Sequence, residues 1–277
     1  MQVGLLTAPF SGDDLDTVLG FASGAGFDAA EVRAGAKHCD LSGRFDAGKF
    51  KAAFDEAGIK ISSLAAYVNI TSGDAAERKA NRALVEKALK ACDKLGVDTL
   101  CTLAGQPPAG MSKVDCIRES AAPFYKKLCK KAADMGIKIA MENWYATNIQ
   151  HLGHWDLIFD LVPDENFGLN FDPSHLVWQD IDHLMAVERY ANRIFHTHAK
   201  DVEMTAHTRA FVGNQEGGWW RYVIPGFGDI DWGVYCARLR KNGFNGVLSI
   251  EHEDSALGRE EGFKLGLDYL RQFADGS

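Results

Sequence analysis

The sequence predicts a single (β/α)8 barrel, and three observations point to it. Short β-rich runs recur along the 277 residues, each followed by a longer stretch with helical spacing. A joint in which a helix ends at Gly and a hydrophobic residue opens the next strand occurs five times, in "AGFDAAEV", "AGIKISSL", "LGVDTLCTL", "MGIKIAMEN" and "NGFNGVLSIE", and amounts to an internal repeat. No Pro/Gly/Ser-rich linker or low-complexity block interrupts the chain, so residues 1–277 are expected to form one domain rather than two.

Taken in order, the eight strands are expected to begin near Val3, Ala29, Ile59, Thr99, Ile137, Gly168, Ile194 and Val247. Between the third and fourth, residues 75–95 place Leu84, Val85, Ala88, Leu89 and Cys92 on one face and stop at Gly96, which predicts a helix covering a sheet. Before the fifth, "APFYKKLCKKAADMG" keeps a four-residue step through Phe124, Leu128 and Ala132. The longest gap, between the runs at Ile194 and Val247, holds "NQEGGWWRYVIPGFGDIDW"; a long connection of this kind is expected to be an active-site loop at 201–231, or else a surface excursion whose tryptophans pack on the rim.

With 46% hydrophobic residues the chain can bury a substantial core. Thirty Lys+Arg against 38 Asp+Glu give a net charge of -8, which argues against non-specific nucleic-acid binding and favours small polar substrates or metal cations. The opening "MQVGLLTAPF" has no basic segment followed by an apolar core, and no stretch approaches the ~20 apolar residues of a membrane span, so a cytoplasmic protein is expected. Six scattered cysteines without a C-x-x-C pair read as reduced core thiols.

The chemistry stands at four consecutive strand ends: Glu142 in "KIAMEN", Asp172 in "LNFDPSH", His198 in "IFHTHAKD" and Glu251 in "VLSIEHED". In an α/β barrel those ends converge on one face. Three carboxylates meeting without a cation would repel and raise one another's pKa. A divalent metal removes that conflict, and this oxygen-rich set with one imidazole suits Mn²⁺ or Mg²⁺, with Co²⁺ or Zn²⁺ tolerated. His196 shares the strand face of His198 and is expected one layer deeper, while His252, Glu253 and Asp254 are expected at the rim or surface.

On "MEN" around Glu142, "FDPSHL", "HTHAKD" and "PGFGDIDW…GFNGVLSIEHE", the chain resembles the xylose-isomerase-like TIM-barrel superfamily. The group it resembles there is that of the sugar phosphate isomerases and epimerases, which includes ketose 3-epimerases, inosose isomerases and dehydratases, and abasic-site endonucleases. The resemblance implies that Glu142, Asp172, His198 and Glu251 bind the metal, Mn²⁺ first, and that Glu142 and Glu251 are the catalytic acid/base pair. Such an enzyme polarises a ketose carbonyl with its metal, removes the adjacent proton to give an enediolate, and returns the proton elsewhere. His175 resembles the family's substrate-contacting histidine; Lys200, Tyr67 and Trp144 are further expected contacts for the carbohydrate. Dimers or tetramers follow from the same resemblance.

"H-x-K-D" at 198–201 is closer to the inosose dehydratase branch, which keeps a lyase acting on a keto-inositol or 3-keto-glycoside as the alternative. An abasic-site endonuclease needs further His and Asp ligands at the early strand ends and a basic face, whereas "TAPF", "VRAG" and "AAYVN" supply no such cluster. A non-catalytic sugar-binding barrel would use the same ligands, but retention of both glutamates speaks against it. "GAGFDA" (Gly24, Gly26, Ala29) matches a dinucleotide fingerprint only with helix and strand in reversed order, which rules that reading out.

Overall fold

A helix that returns the chain to a parallel strand has to stop and turn within about two residues, and the repeated glycine joint does this. In the computed structural model, which describes residues 1–35 and 37–274, Gly26, Gly58, Gly96, Gly136 and Gly243 all have φ between 69° and 89°. A Cβ is strained in that left-handed region, so glycine is the residue for it. The next residue donates its backbone N–H to the carbonyl five positions back: Phe27 to Ala22, Ile59 to Phe54, Val97 to Cys92, Ile137 to Ala132 and Phe244 to Leu239, at 2.9–3.1 Å. All five of those apolar side chains are buried, so each joint docks its strand as it turns the chain. Helix starts are equally regular: Asp14, Asp46, Asp74 and Asp231 each accept a hydrogen bond from the backbone N–H three residues on.

The strands so connected are β1 (Gln2–Leu6), β2 (Ala29–Arg33), β3 (Lys60–Ala66), β4 (Thr99–Leu103), β5 (Lys138–Glu142), β6 (Phe167–Phe171), β7 (Ile194–Ala199) and, after an inserted pair, β10 (Val247–Ile250). Each begins within one residue of its expected position. They close a fully parallel barrel in which β10 pairs with both β7 and β1. Helices α1 (Leu15–Ala25), α2 (Ala47–Ala57), α3 (Ala75–Leu95), α4 (Lys113–Cys116), α5 (Ala122–Ala133), α6 (Leu152–Leu161), α7 (Ser174–Val177), α8 (His183–Arg189), α10 (Trp232–Lys241) and α11 (Arg259–Ala274) follow the strands, with α9 (Ala206–Val212) in the inserted segment.

Strand alternation divides the core. Leu64, Leu100 and Ile139 join the large apolar layer beneath the helices. Their neighbours Ala65, Cys101 and Ala140 meet Leu6 in a separate small cluster, and residues this small leave the barrel axis to polar side chains.

Within residues 201–231, expected as an active-site loop, lie a strand pair and a short helix. β8 (Asp201–Met204) runs antiparallel to β9 (Trp220–Val223), and α9 lies between them. The return segment is gathered on one side chain: the Asp201 carboxylate accepts from the backbone N–H of Val202, Gly226, Gly228 and Ile230 and from the Trp232 indole, at 2.8–3.3 Å. A Cβ on Gly228 would lie 2.4 Å from Asp201 Oδ1, which is why the turn needs glycine there. Among the described residues no helix is long and apolar enough to cross a membrane.

Candidate metal centre

The apolar strands deliver their polar ends to one point. Glu142 closes β5, Asp172 follows β6, His198 lies near the end of β7 and Glu251 follows β10. One donor atom from each falls within 4.8 Å of the others. His198 Nδ1 stands 3.1 Å from Glu251 Oε2, 3.6 Å from Glu142 Oε1 and 3.9 Å from Asp172 Oδ2. Asp172 and His198 are fully buried and Glu142 is 5% exposed, so the set is assembled out of water.

The "NFDPSH" stretch explains how Asp172 is aimed. Its Oδ1 is held by the Ser174 backbone N–H at 2.8 Å and the Ser174 hydroxyl at 2.6 Å. Its own backbone is clamped by Asn143, which accepts from the Asp172 N–H at 2.7 Å and donates to the Asp172 carbonyl at 2.8 Å. Asp172 Oδ2 is thereby left pointing at the cluster, and it and His198 Nδ1 are both buried without a hydrogen-bond partner. Both atoms face charged groups without a well-aligned hydrogen bond, Lys200 Nζ lying 3.3 Å from Asp172 Oδ2, and a divalent cation fits here by exchanging for the ammonium contact and the imidazole proton. A second compact group, Glu31, Cys101 and His196, differs on this point: both His196 nitrogens and both Glu31 oxygens already have protein partners.

Basic side chains surround the carboxylates. The Lys200 ammonium, 1% exposed, lies 2.6 Å from Glu251, 3.3 Å from Asp172 and 3.5 Å from Glu253, and 4.5 Å above the Tyr222 ring. His175 Nε2 is 3.2 Å from Glu142 Oε1, and its Nδ1 is 2.6 Å from the Tyr222 hydroxyl. Burial alone would raise the pKa of Glu142, but the hydrogen bond from His175 and the nearby His198 and Lys200 outweigh it and hold that carboxyl well below the usual range. Glu251 is likewise desolvated, yet Lys200 and His198 bring it down to about 2. Burial opposes charge on His198, but Glu31, Glu251 and Glu142 push its pKa well above the ordinary value, so a cation at Nδ1 has to displace a proton.

The other expected contacts fall in different places. His175 and Lys200 stand at the cluster. The Tyr67 hydroxyl is taken up inside the barrel by Glu31, with Asn170 Nδ2 at 2.9 Å and His198 Nε2 at 3.0 Å. Trp144 is one ring further out: it packs 6.3 Å from Tyr145, and Tyr145 is the ring that meets His175, at 5.9 Å. His196 lies deeper, as expected, between Asn170 and Ser62. His252 and Asp254 are buried rather than at the surface; Asp254 accepts a 2.8 Å hydrogen bond from Arg221 and so ties the β8–β9 pair to the end of β10. Sequence reasoning missed Glu31, whose only signal is a lone acid within the apolar strand "AAEVR". It is fully buried, with Oε2 at 3.1 Å from His198 Nε2. A cavity of about 710 Å³ opens at the opposite pole, lined among others by Lys60, Ser62, Asp98, Lys138 and Asn242. Of the possible metal-ligand groups among the described residues, only His196 reaches that lining, and barrel chemistry belongs to the C-terminal ends of the strands.

A family model described as "Xylose isomerase-like TIM barrel" matches residues 19–273. The uncharacterized protein YfiH of Bacillus subtilis is 27% identical, covering 98% of this chain and 99% of that one. An inosose dehydratase of Glaesserella parasuis is 31% identical over 55% of this chain, and that match spans only 54% of the dehydratase. Among solved structures, the IolI protein with a bound zinc atom superposes with a TM-score of 0.79 at 20% identity, covering 100% of both chains. The 3-keto-D-glucoside 4-epimerase YcjR of E. coli gives 0.77 at 16% identity, covering 98% of this chain and 99% of that one.

Proposed function

The chain belongs to the xylose isomerase-like TIM barrel family, and from that membership we propose that it is a divalent-metal-dependent isomerase or epimerase that moves a proton beside the carbonyl of a keto-sugar. The observation that carries this reading is the convergence of Glu142, Asp172, His198 and Glu251, with two donor atoms among them that lack a hydrogen-bond partner. These four residues would hold the ion, with Mn²⁺ favoured by the oxygen-rich set and Mg²⁺, Co²⁺ or Zn²⁺ as alternatives. Bound there, such an ion polarises a carbonyl and acidifies the C–H next to it.

The chain's own residues supply the rest. Glu142 and Glu251 come from strands separated by β6 and β7, and both carboxyls are held ionised, so either can take the proton as base; the proton that returns comes from the carboxyl so protonated, or from water by way of the other. Return to the opposite face of the same carbon gives an epimer; delivery to the neighbouring carbon gives an isomer. His175, hydrogen-bonded to Glu142, stands where it can orient the substrate oxygen. The second reading, loss of water from a keto-inositol or 3-keto-glycoside, is favoured by Lys200, whose ammonium between Glu251 and Glu253 can hold a departing hydroxyl.

The test is to incubate the Mn²⁺-loaded protein in D₂O with ketohexoses, ketopentoses, an inosose and 3-keto-glycosides, with Glu251→Gln as control. Metal-dependent deuterium beside the carbonyl, absent from the control, is the expected result, and the product separates epimerase, isomerase and lyase. No incorporation across the panel by protein shown to hold its metal would overturn the proposal.

A further inference from the structure

We infer that Glu31 is a positioning residue for this centre: it keeps a proton on Nε2 of His198, so that Nδ1 is the nitrogen left to bind a cation. The inference rests on the reading of the centre as a metal site and concerns how that site is made. Apart from the Tyr67 hydroxyl at 3.0 Å, whose proton goes to Glu31, His198 Nε2 has two competing neighbours. It can donate to Glu31 Oε2 at 3.1 Å or accept from Asn170 Nδ2 at 2.9 Å. In the second arrangement a neutral His198 carries its proton on Nδ1, and no lone pair faces Glu142, Asp172 and Glu251. An ionised carboxylate only accepts, so Glu31 selects the first.

The surrounding network fixes that choice. The Tyr67 hydroxyl donates to the other oxygen of Glu31 and accepts from Asn170 Nδ2 at 2.9 Å, which gives the amide hydrogens an outlet other than His198. Asn170 Oδ1 faces His196 Nδ1 at 3.0 Å, and His196 Nε2 faces the Ser62 hydroxyl at 3.1 Å, so the far end of the amide is hydrogen-bonded as well. Glu31 is fully buried and has no solvent to share its charge with. A carboxylate behind a ligating imidazole raises its basicity and fixes its ring, and loss of such a partner typically costs 10–100-fold in metal affinity.

The decisive variant is Glu31→Gln, which keeps the shape but offers an amide N–H to His198 Nε2. Titration with Mn²⁺ is expected to show affinity reduced by roughly 10–100-fold relative to the unaltered protein. In Zn²⁺-loaded, ¹⁵N-histidine-labelled protein, the downfield Nε2–H proton of His198 should be present in the native chain and lost or moved upfield in the variant. Tyr67→Phe, which removes the support of the second Glu31 oxygen together with the hydroxyl's contacts to Asn170 and His198, should weaken Mn²⁺ binding in the same direction and by less. Unchanged Mn²⁺ affinity in folded Glu31→Gln, or an unchanged Nε2–H resonance, overturns the inference. If Glu31→Gln does not fold, unchanged affinity in Tyr67→Phe overturns it instead. If the native chain binds neither ion, the metal reading fails and this inference falls with it, whereas native binding with unchanged affinity in Glu31→Gln sinks this inference alone.

Discussion

A lysine with 1% exposure among carboxylates is costly to desolvate, and what retains Lys200 is the charge it balances. Its ammonium touches Glu251 and Asp172, two of the four converging donors, and reaches Glu253. Desolvation works against its charge, but Glu251, Asp172 and Glu253 hold its pKa well above the ordinary lysine value, so it stays cationic. The consequence for a metal is competition, because cation and ammonium draw on the same Asp172 oxygen. Lys200→Met is therefore expected to destabilise the metal-free protein by about 3 kcal/mol, the cost of leaving buried carboxylates without a partner. Mn²⁺ should then restore more stability to the variant than it adds to the native chain. Urea unfolding with and without Mn²⁺ measures both quantities, and a metal-free variant as stable as the native chain would contradict this account.

Among the elements, the β8–β9 pair and its return segment depend most heavily on one residue. Asp201 satisfies four backbone N–H groups and the Trp232 indole N–H, and among the described residues no other carboxylate is committed to so many donors. Asp201→Ala leaves those donors to find water or strain the turn; at ~1–3 kcal/mol for each group that stays unsatisfied, a loss of at least about 3 kcal/mol is expected. Hydrogen exchange should show the opening confined first to residues 224–232, with β1 to β7 still protected, and a loss of protection spread evenly over the barrel would refute it. This is also the element the sequence showed least clearly. The barrel strands were legible because each is an apolar run bounded by a glycine joint, a local signal. The pairing of β8 with β9 is not local: "GNQEGG" reads as loop, and only the register that brings Asp201 opposite Val223 reveals the hairpin. The four donors at the centre were legible because each terminates an apolar strand and barrel geometry gathers such ends. Glu31 was not, because one acid inside "AAEVR" looks the same whether it faces solvent or the barrel axis.

On the scale of the whole molecule, the barrel is a closed wall of apolar strands around a polar axis, and the centre sits where that axis ends. Its donors come from β5, β6, β7 and β10, the last of which closes the barrel against β1. The amino terminus is pinned there as well, with the Met1 ammonium donating to the Ala274 carbonyl at 2.9 Å. A cation that links these four staves binds the folded chain and finds no assembled site in the unfolded one, so binding and folding are coupled. Mn²⁺ at 100 times its dissociation constant should add about 2.7 kcal/mol to the stability. For a chain of this size that corresponds to a rise of about 5 °C in Tm. Chelation should reverse it, and His198→Ala should abolish the response by removing the one nitrogen donor of the set. Differential scanning calorimetry across a Mn²⁺ series tests this: a Tm that does not depend on ion concentration, or one that still responds in His198→Ala, would mean that the four strand ends do not share a cation.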